Sequence, residues 1–113
     1  MGRRDDLIRK YADDLRGKCG IEPDMALLEK VAIGCGPAIY DADAELVAAS
    51  DPDELAHIKE NYLIRKLGLA DGPELSDAID TVLEIYGRSE PRKYRPVVYY
   101  ILALHFGRES AYP

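Results

Sequence analysis

Four cations, Arg88, Arg92, Lys93 and Arg95, fall within eight residues of a chain whose formal net charge is −6. Tyr94 stands among them, and Tyr99 and Tyr100 follow. Ammonium and guanidinium groups interleaved with aromatic rings are the chemistry that holds a phosphate, a small anion or a nucleic-acid strand. The cluster also lies where a helix is expected to begin, and the free amides of a helix start attract anions themselves. Positive side chains there oppose the helix dipole, so a negative partner is expected. The chain carries one: residues 41 to 54 include Asp41, Asp43, Glu45, Asp51, Asp53 and Glu54 and no basic residue. Internal ion pairing between the two segments is the first expectation, a protein partner the second and a bound anion the third. The candidate binding residues are Arg92, Lys93, Tyr94 and Arg95, with Tyr40 and Asp41 on the acidic side.

The acidic run opens like a calcium loop, but the likeness stops there. An EF-hand needs glycine at loop position six and a bidentate glutamate at position twelve. Counted from Asp41, those places hold Leu46 and Pro52. Capping and a solvated helix face explain the carboxylates better. His57, His105, Cys19 and Cys35 lack the short spacings of a zinc knuckle or a metal-binding helix, so structural, hydrogen-bonded histidines and free thiols are expected. Gly34-Cys35-Gly36 is a lone Gly-x-Gly with Pro37 directly after it, which suits a tight turn rather than a dinucleotide loop. No nucleophile, metal ligand set or cofactor is indicated.

These residues must be positioned by helices. From Asp5 to Arg16, Leu7, Tyr11 and Leu15 recur every four residues with Ile8 and Ala12 beside them, one apolar stripe opposite a charged face. Glu22-Pro23-Asp24 opens a second helix with proline in its first position, and Leu27, Leu28, Val31 and Ala32 are its core stripe. Between Pro37 and Ser50, Ala38-Ile39-Tyr40 and Ala44 to Ala49 each suit a short helical turn, the latter capped by Asp43. Asp51-Pro52-Asp53-Glu54 has the makings of a capping box, with Leu55, Ile58, Tyr62 and Leu63 inward and Gly68 as the stop. Arg65 and Lys66 fall in that helix's last turn, where the dipole favours positive charge by about 0.3–1 kcal/mol.

Pro73 starts another helix with core residues Leu75, Ile79, Val82, Leu83 and Tyr86, closed by Gly87. The last, Tyr94 to Phe106, is apolar nearly all round and is expected to be central, with His105 buried at its end. A tail from Arg108 to Pro113 is expected to fray, as are residues 1–4. No strand shows clean alternation. The segments Pro23 to Gly36 and Pro73 to Gly87 match only in length and punctuation, too little to establish a repeat. The expectation is an all-α fold, one compact irregular bundle of five or six helices formed by residues 1–113.

With 113 residues the chain suits one domain, and 47% hydrophobic with 32% charged residues suits a globular one. Its acidity repels nucleic acid and anionic membrane at long range. The apolar run Val97 to Leu104 is far too short to span a bilayer. With no leader pattern at the start, two reduced thiols and a cytoplasmic location are expected.

Two stretches together carry a family resemblance. One runs Gly34-Cys35-Gly36-Pro37-Ala38-Ile39-Tyr40-Asp41-Ala42-Asp43-Ala44 with the following helix to Gly68. The other runs Lys93-Tyr94-Arg95 to Phe106-Gly107-Arg108-Glu109-Ser110. They resemble the small bacterial proteins of the domain of unknown function 2853 family, and the likeness covers most of the chain. The resemblance implies a bacterial, cytoplasmic, all-helical protein; it implies no activity, so no catalytic residues are carried over.

Three functions follow as expectations. The first is a non-enzymatic protein-interaction or structural module, a homodimer or the partner of another protein. Eight tyrosines against one phenylalanine favour it, because tyrosine suits half-buried interfaces. The second is a binder of a small anion or nucleic-acid strand through Lys93, Tyr94 and Arg95. The third is an enzyme with a site assembled across helices around Tyr40 and Asp41.

Overall fold

The computed structural model describes residues 2–113. Helix α1 (Arg3–Gly17) turns Ile8, Tyr11, Ala12 and Leu15 to the interior and leaves its charges in solvent. Helix α2 (Met25–Gly34) buries Leu27, Leu28, Val31 and Ala32, but it does not start at Pro23. The Asp24 carboxylate accepts the N–H groups of Ala26 and Leu27, at 3.0 and 3.2 Å, so side-chain capping sets the start and proline lies before it.

A 3₁₀ turn, Gly36–Tyr40, follows where a short piece was expected. The second short helix, Ala44 to Ala49 with Asp43 as its cap, does not form. Asp41 does the capping instead, accepting from the N–H groups of Asp43 and Ala44. The chain beyond then extends so that Leu46 pairs with Tyr94 in an isolated antiparallel bridge. Val47 N–H donates to the Lys93 carbonyl at 2.8 Å and Arg95 N–H to the Glu45 carbonyl at 2.6 Å. Long-range backbone pairing satisfies these groups in place of local helical bonds and buries Glu45 and Val47 on the same side.

Helix α3 (Pro52–His57) is capped by Asp51, which accepts the Asp53 N–H. Glu54 does not complete a capping box; its carboxylate swings away to Arg95. Without a break the chain continues as a π-helical stretch, Ile58–Lys66, that buries Ile58, Tyr62 and Leu63. Gly68, at φ 72°, makes the left-handed turn that ends it. Helix α4 (Pro73–Tyr86) buries Leu75, Ala78, Ile79, Val82, Leu83 and Tyr86.

Helix α5 (Arg95–His105) buries every residue from Pro96 to Ala103 and packs against α1, α2 and α4. It is the central helix that its all-round apolarity predicted. Its last turn emerges, however. Leu104 and His105 are exposed, and the His105 ring meets Phe106 edge-on at 4.9 Å instead of entering the core. The tail also differs from expectation. A 3₁₀ turn, Glu109–Ala111, leads Tyr112 back into the body, where it is buried.

The result is an all-α bundle of five helices with a radius of gyration of 13.0 Å, the value a single domain of about 100 residues should have. Among the described residues there is no strand, and no helix is long and apolar enough to cross a membrane.

Tyrosine plays an unexpected part. Seven of the eight, all but Tyr40, are buried. Their rings fill the core while their hydroxyls reach polar partners: Tyr11 donates to Glu45, Tyr86 to Asp14, Tyr62 to the Tyr99 carbonyl and Tyr112 to the Tyr62 hydroxyl. The Tyr100 hydroxyl accepts the Asp24 N–H. Their abundance therefore reflects a core wired to its own surface rather than rings left over for an interface.

Candidate functional site

The basic cluster does not form one surface. Arg88 turns back to α4 and pairs with Asp80 and Glu84 at 3.7 and 3.6 Å. Arg92 is exposed. Lys93 is buried, and its ammonium donates to the carbonyls of Glu90 and Arg88. Burial pulls its pKa below the ordinary lysine value, against the opposing charge of Glu90. The Tyr94 ring packs on Tyr11 at 5.5 Å, beneath the Lys10 ammonium at 4.3 Å. On the acidic side, Tyr40 is exposed with the Arg3 guanidinium 5.1 Å over its ring. Asp41 is also exposed, and the Ala44 and Asp43 amides hold its pKa below the ordinary carboxylate value.

Arg95 is the member of the cluster that reaches a cavity. Its Nε donates to the Ala44 carbonyl at 2.9 Å, one terminal nitrogen to the Tyr99 hydroxyl at 3.2 Å, and the other to the Leu46 carbonyl at 3.1 Å and to Glu54. Burial works against its charge, but the bonds to Glu54 and Tyr99 outweigh it and raise the pKa. The internal pairing expected between basic and acidic segments is thus concentrated in one couple, Arg95 with Glu54.

The cavity beside Arg95 has a volume of about 460 Å³. The end of α2 and the turn after it supply Gly34, Cys35 and Ala38, and the extended loop supplies Ala44. His57, Asn61, Tyr62 and Lys66 come from the far side, Tyr99 joins Arg95 from α5, and Tyr112 comes from the tail. The Tyr62 and Tyr99 rings stack with centroids 3.9 Å apart.

The helix winding decides which residues meet there. Nine residues separate His57 from Lys66, about 2.5 turns of an α-helix, which would place them on opposite faces. The i→i+5 bonding of a π-helix adds about one residue to each turn, so the same nine make about two turns. The π-helical stretch therefore brings His57, Asn61 and Lys66 into one line along the cleft. The sequence expectations missed all three as a group, because an α-helical reading sends Lys66 away from His57.

Two cations line the cleft, and Glu54 pairs with one of them, Arg95. Among the described residues its lining includes Lys66 and Arg95 and no carboxylate. Lys66 has no carboxylate within 4.0 Å among the described residues; its ammonium rests 4.6 Å over the Tyr112 ring. The Asn61 amide and the His57 Nδ1 lie 2.8 Å apart, which orients both groups. Burial pushes the Cys35 thiol up to about 12, with Arg95 opposing, so it stays protonated at neutral pH. Such a lining can hold an anion and offer neutral donors to it. Among the described residues no group of three or more His, Cys, Asp and Glu side chains is placed to hold a metal ion.

The family model described as "Protein of unknown function (DUF2853)" matches residues 10–110 of the chain. No curated protein matches it.

Proposed function

The chain belongs to the DUF2853 family, and from that premise we propose that it is a binding protein for a small anionic ligand, held in the cleft between the π-helical stretch and α5. One observation carries this reading: the π winding aligns His57, Asn61 and Lys66 opposite Arg95 and Tyr99 in a lining that has no carboxylate among the described residues. A volume of about 460 Å³ is in the range of small-molecule sites. Binding is favoured over catalysis because the thiol in the cleft is held protonated by burial and His57 is engaged by Asn61. Compared with the expectation from the sequence, Arg95 stays in the site, while Lys93 and Tyr94 are occupied in the interior. The interaction-module reading loses its tyrosine argument, since the rings that suggested an interface are buried. A bacterial, cytoplasmic setting fits the family resemblance and two free cysteines.

Native mass spectrometry of gently purified protein, followed by thermal melts with small anions, tests the reading. A co-purified or added anion that is lost in the Lys66→Met variant supports it. A chain that carries no extra mass and whose melt ignores every anion overturns it.

A further inference from the structure

We infer that the ligand is an aromatic monocarboxylate whose carboxylate sits on Lys66. This rests on the reading of the cleft as an anion site and adds the class of anion. The charge count comes first. Arg95 has four of its five N–H donors committed, to Ala44, Tyr99, Leu46 and Glu54, and Glu54 neutralises it. Lys66 is then the one cation lining the cleft whose charge is not met by a carboxylate within 4.0 Å among the described residues. One positive charge calls for one negative charge. A second negative charge, as on a phosphate dianion, would find no further unpaired cation among the residues lining the cleft.

The rest of the lining describes the ligand's body. Ala38, Ala44 and the protonated Cys35 offer apolar surface. Tyr62, Tyr99 and Tyr112 also line the cleft. Tyr62 and Tyr99 stack on each other and Lys66 lies over Tyr112, so what they leave for a ligand ring is edge contact. Lys66 is held over the Tyr112 ring instead of in an ion pair, so a carboxylate can take its ammonium without breaking one. The Asn61 amide stands along the same line and can donate to the second carboxylate oxygen.

Titration of the full chain with benzoate, followed by NMR chemical shifts, is the test. Benzyl alcohol, acetate and inorganic phosphate serve as comparison probes. Benzoate is expected to bind saturably and to shift the signals of Asn61 and Lys66. Lys66→Met should weaken it by about tenfold or more, the scale of a lost charge-assisted hydrogen bond, and Lys66→Arg should restore most of the loss. Lys66 is exposed, so the variant keeps its fold, which an unchanged melt verifies. Benzyl alcohol and acetate, each lacking one half of the ligand, should bind more weakly than benzoate. Phosphate binding as tightly as benzoate, with the same Lys66 dependence, overturns the ligand class and leaves the anion site standing. Benzoate binding that Lys66→Met does not change overturns the assignment of Lys66. If none of the probes shifts a cleft residue, both the class and the anion-site reading fall.

Discussion

The Arg95 guanidinium grips the Glu54 carboxylate across a sequence separation of 41 residues, with both side chains only 14% exposed. The same arginine also holds the carbonyls of Ala44 and Leu46. One side chain at the first turn of α5 therefore ties together both ends of the irregular segment between the 3₁₀ turn and α3, beside the backbone pairing of Leu46 with Tyr94. That segment has few helical bonds of its own, so its position depends on this anchor together with the backbone bonds of Glu45 and Val47 to Arg95 and Lys93.

Glu54→Gln should be costly for that reason. Removing one member of a largely buried pair leaves the other charge uncompensated, at about 3–5 kcal/mol. Replacing both, Arg95→Met with Glu54→Gln, should cost less than the sum of the two single changes. Urea unfolding of the four proteins in a double-mutant cycle measures the coupling. Strict additivity would mean that the two side chains do not act together.

Leu102 has no solvent exposure and lies in the middle of α5. Leu102→Ala should destabilise the chain by about 2–5 kcal/mol, from lost transfer energy and the cavity left behind. Leu104, two residues on and 36% exposed, should tolerate the same change at well under half that cost. Thermal melts of both variants check the ranking. Equal losses would mean that α5 is not the buried centre.

Regular periodicity explains what could be read from the sequence. The stripe of Leu7, Tyr11 and Leu15 with Ile8 and Ala12 in α1 is a local pattern and forms with Leu7 only half-buried, and the one from Leu75 to Tyr86 in α4 forms as spaced. The centrality of α5 was legible because its apolar residues leave no polar face. The candidate site was only partly legible, because it depends on long-range geometry. Arg95 could be suspected from its charge, but its partner Glu54 looked like a local cap. The alignment of His57 with Lys66 depends on a π winding that residue types do not signal. Tyr112 reads as loose tail in the sequence, but its hydroxyl donates to the Tyr62 hydroxyl in the core.

Alkaline pH should unfold the chain through its buried acids. Burial is the first cause that raises the pKa of Tyr11, Tyr62, Tyr86, Tyr99 and Tyr112, and of Cys19 and Cys35. In the unfolded chain these groups ionise near their ordinary values, 9.0 for the thiols and 10.0 for the phenols. Their stabilisation is therefore complete below pH 9.0 and is lost as pH rises through the folded values, about 11 for Cys19 and about 12 for Cys35 and Tyr112. Lys93, with a lowered pKa, works in the opposite direction, but it is one group against seven. Phenolate absorbance should rise together with the loss of helical circular dichroism. Phenols that titrate gradually while the helices remain would contradict this coupling.

Thiol labelling separates binding from catalysis at the cleft. A nucleophilic cysteine needs an appreciable thiolate population, which a lowered pKa would supply. Cys35 is shifted the other way, from 9.0 to about 12, and Cys19 to about 11. Well below both values, burial leaves the Cys35 thiolate far scarcer than in an unperturbed thiol, and Cys19 is the less strongly shifted of the two. Iodoacetamide should therefore modify Cys19 first and Cys35 very slowly in the folded protein, and both quickly after unfolding in urea. Mass spectrometry of peptides at successive times gives the two rates. A Cys35 that labels as fast folded as unfolded would mean that the thiol is activated, and the cleft would then be better described as a catalytic site.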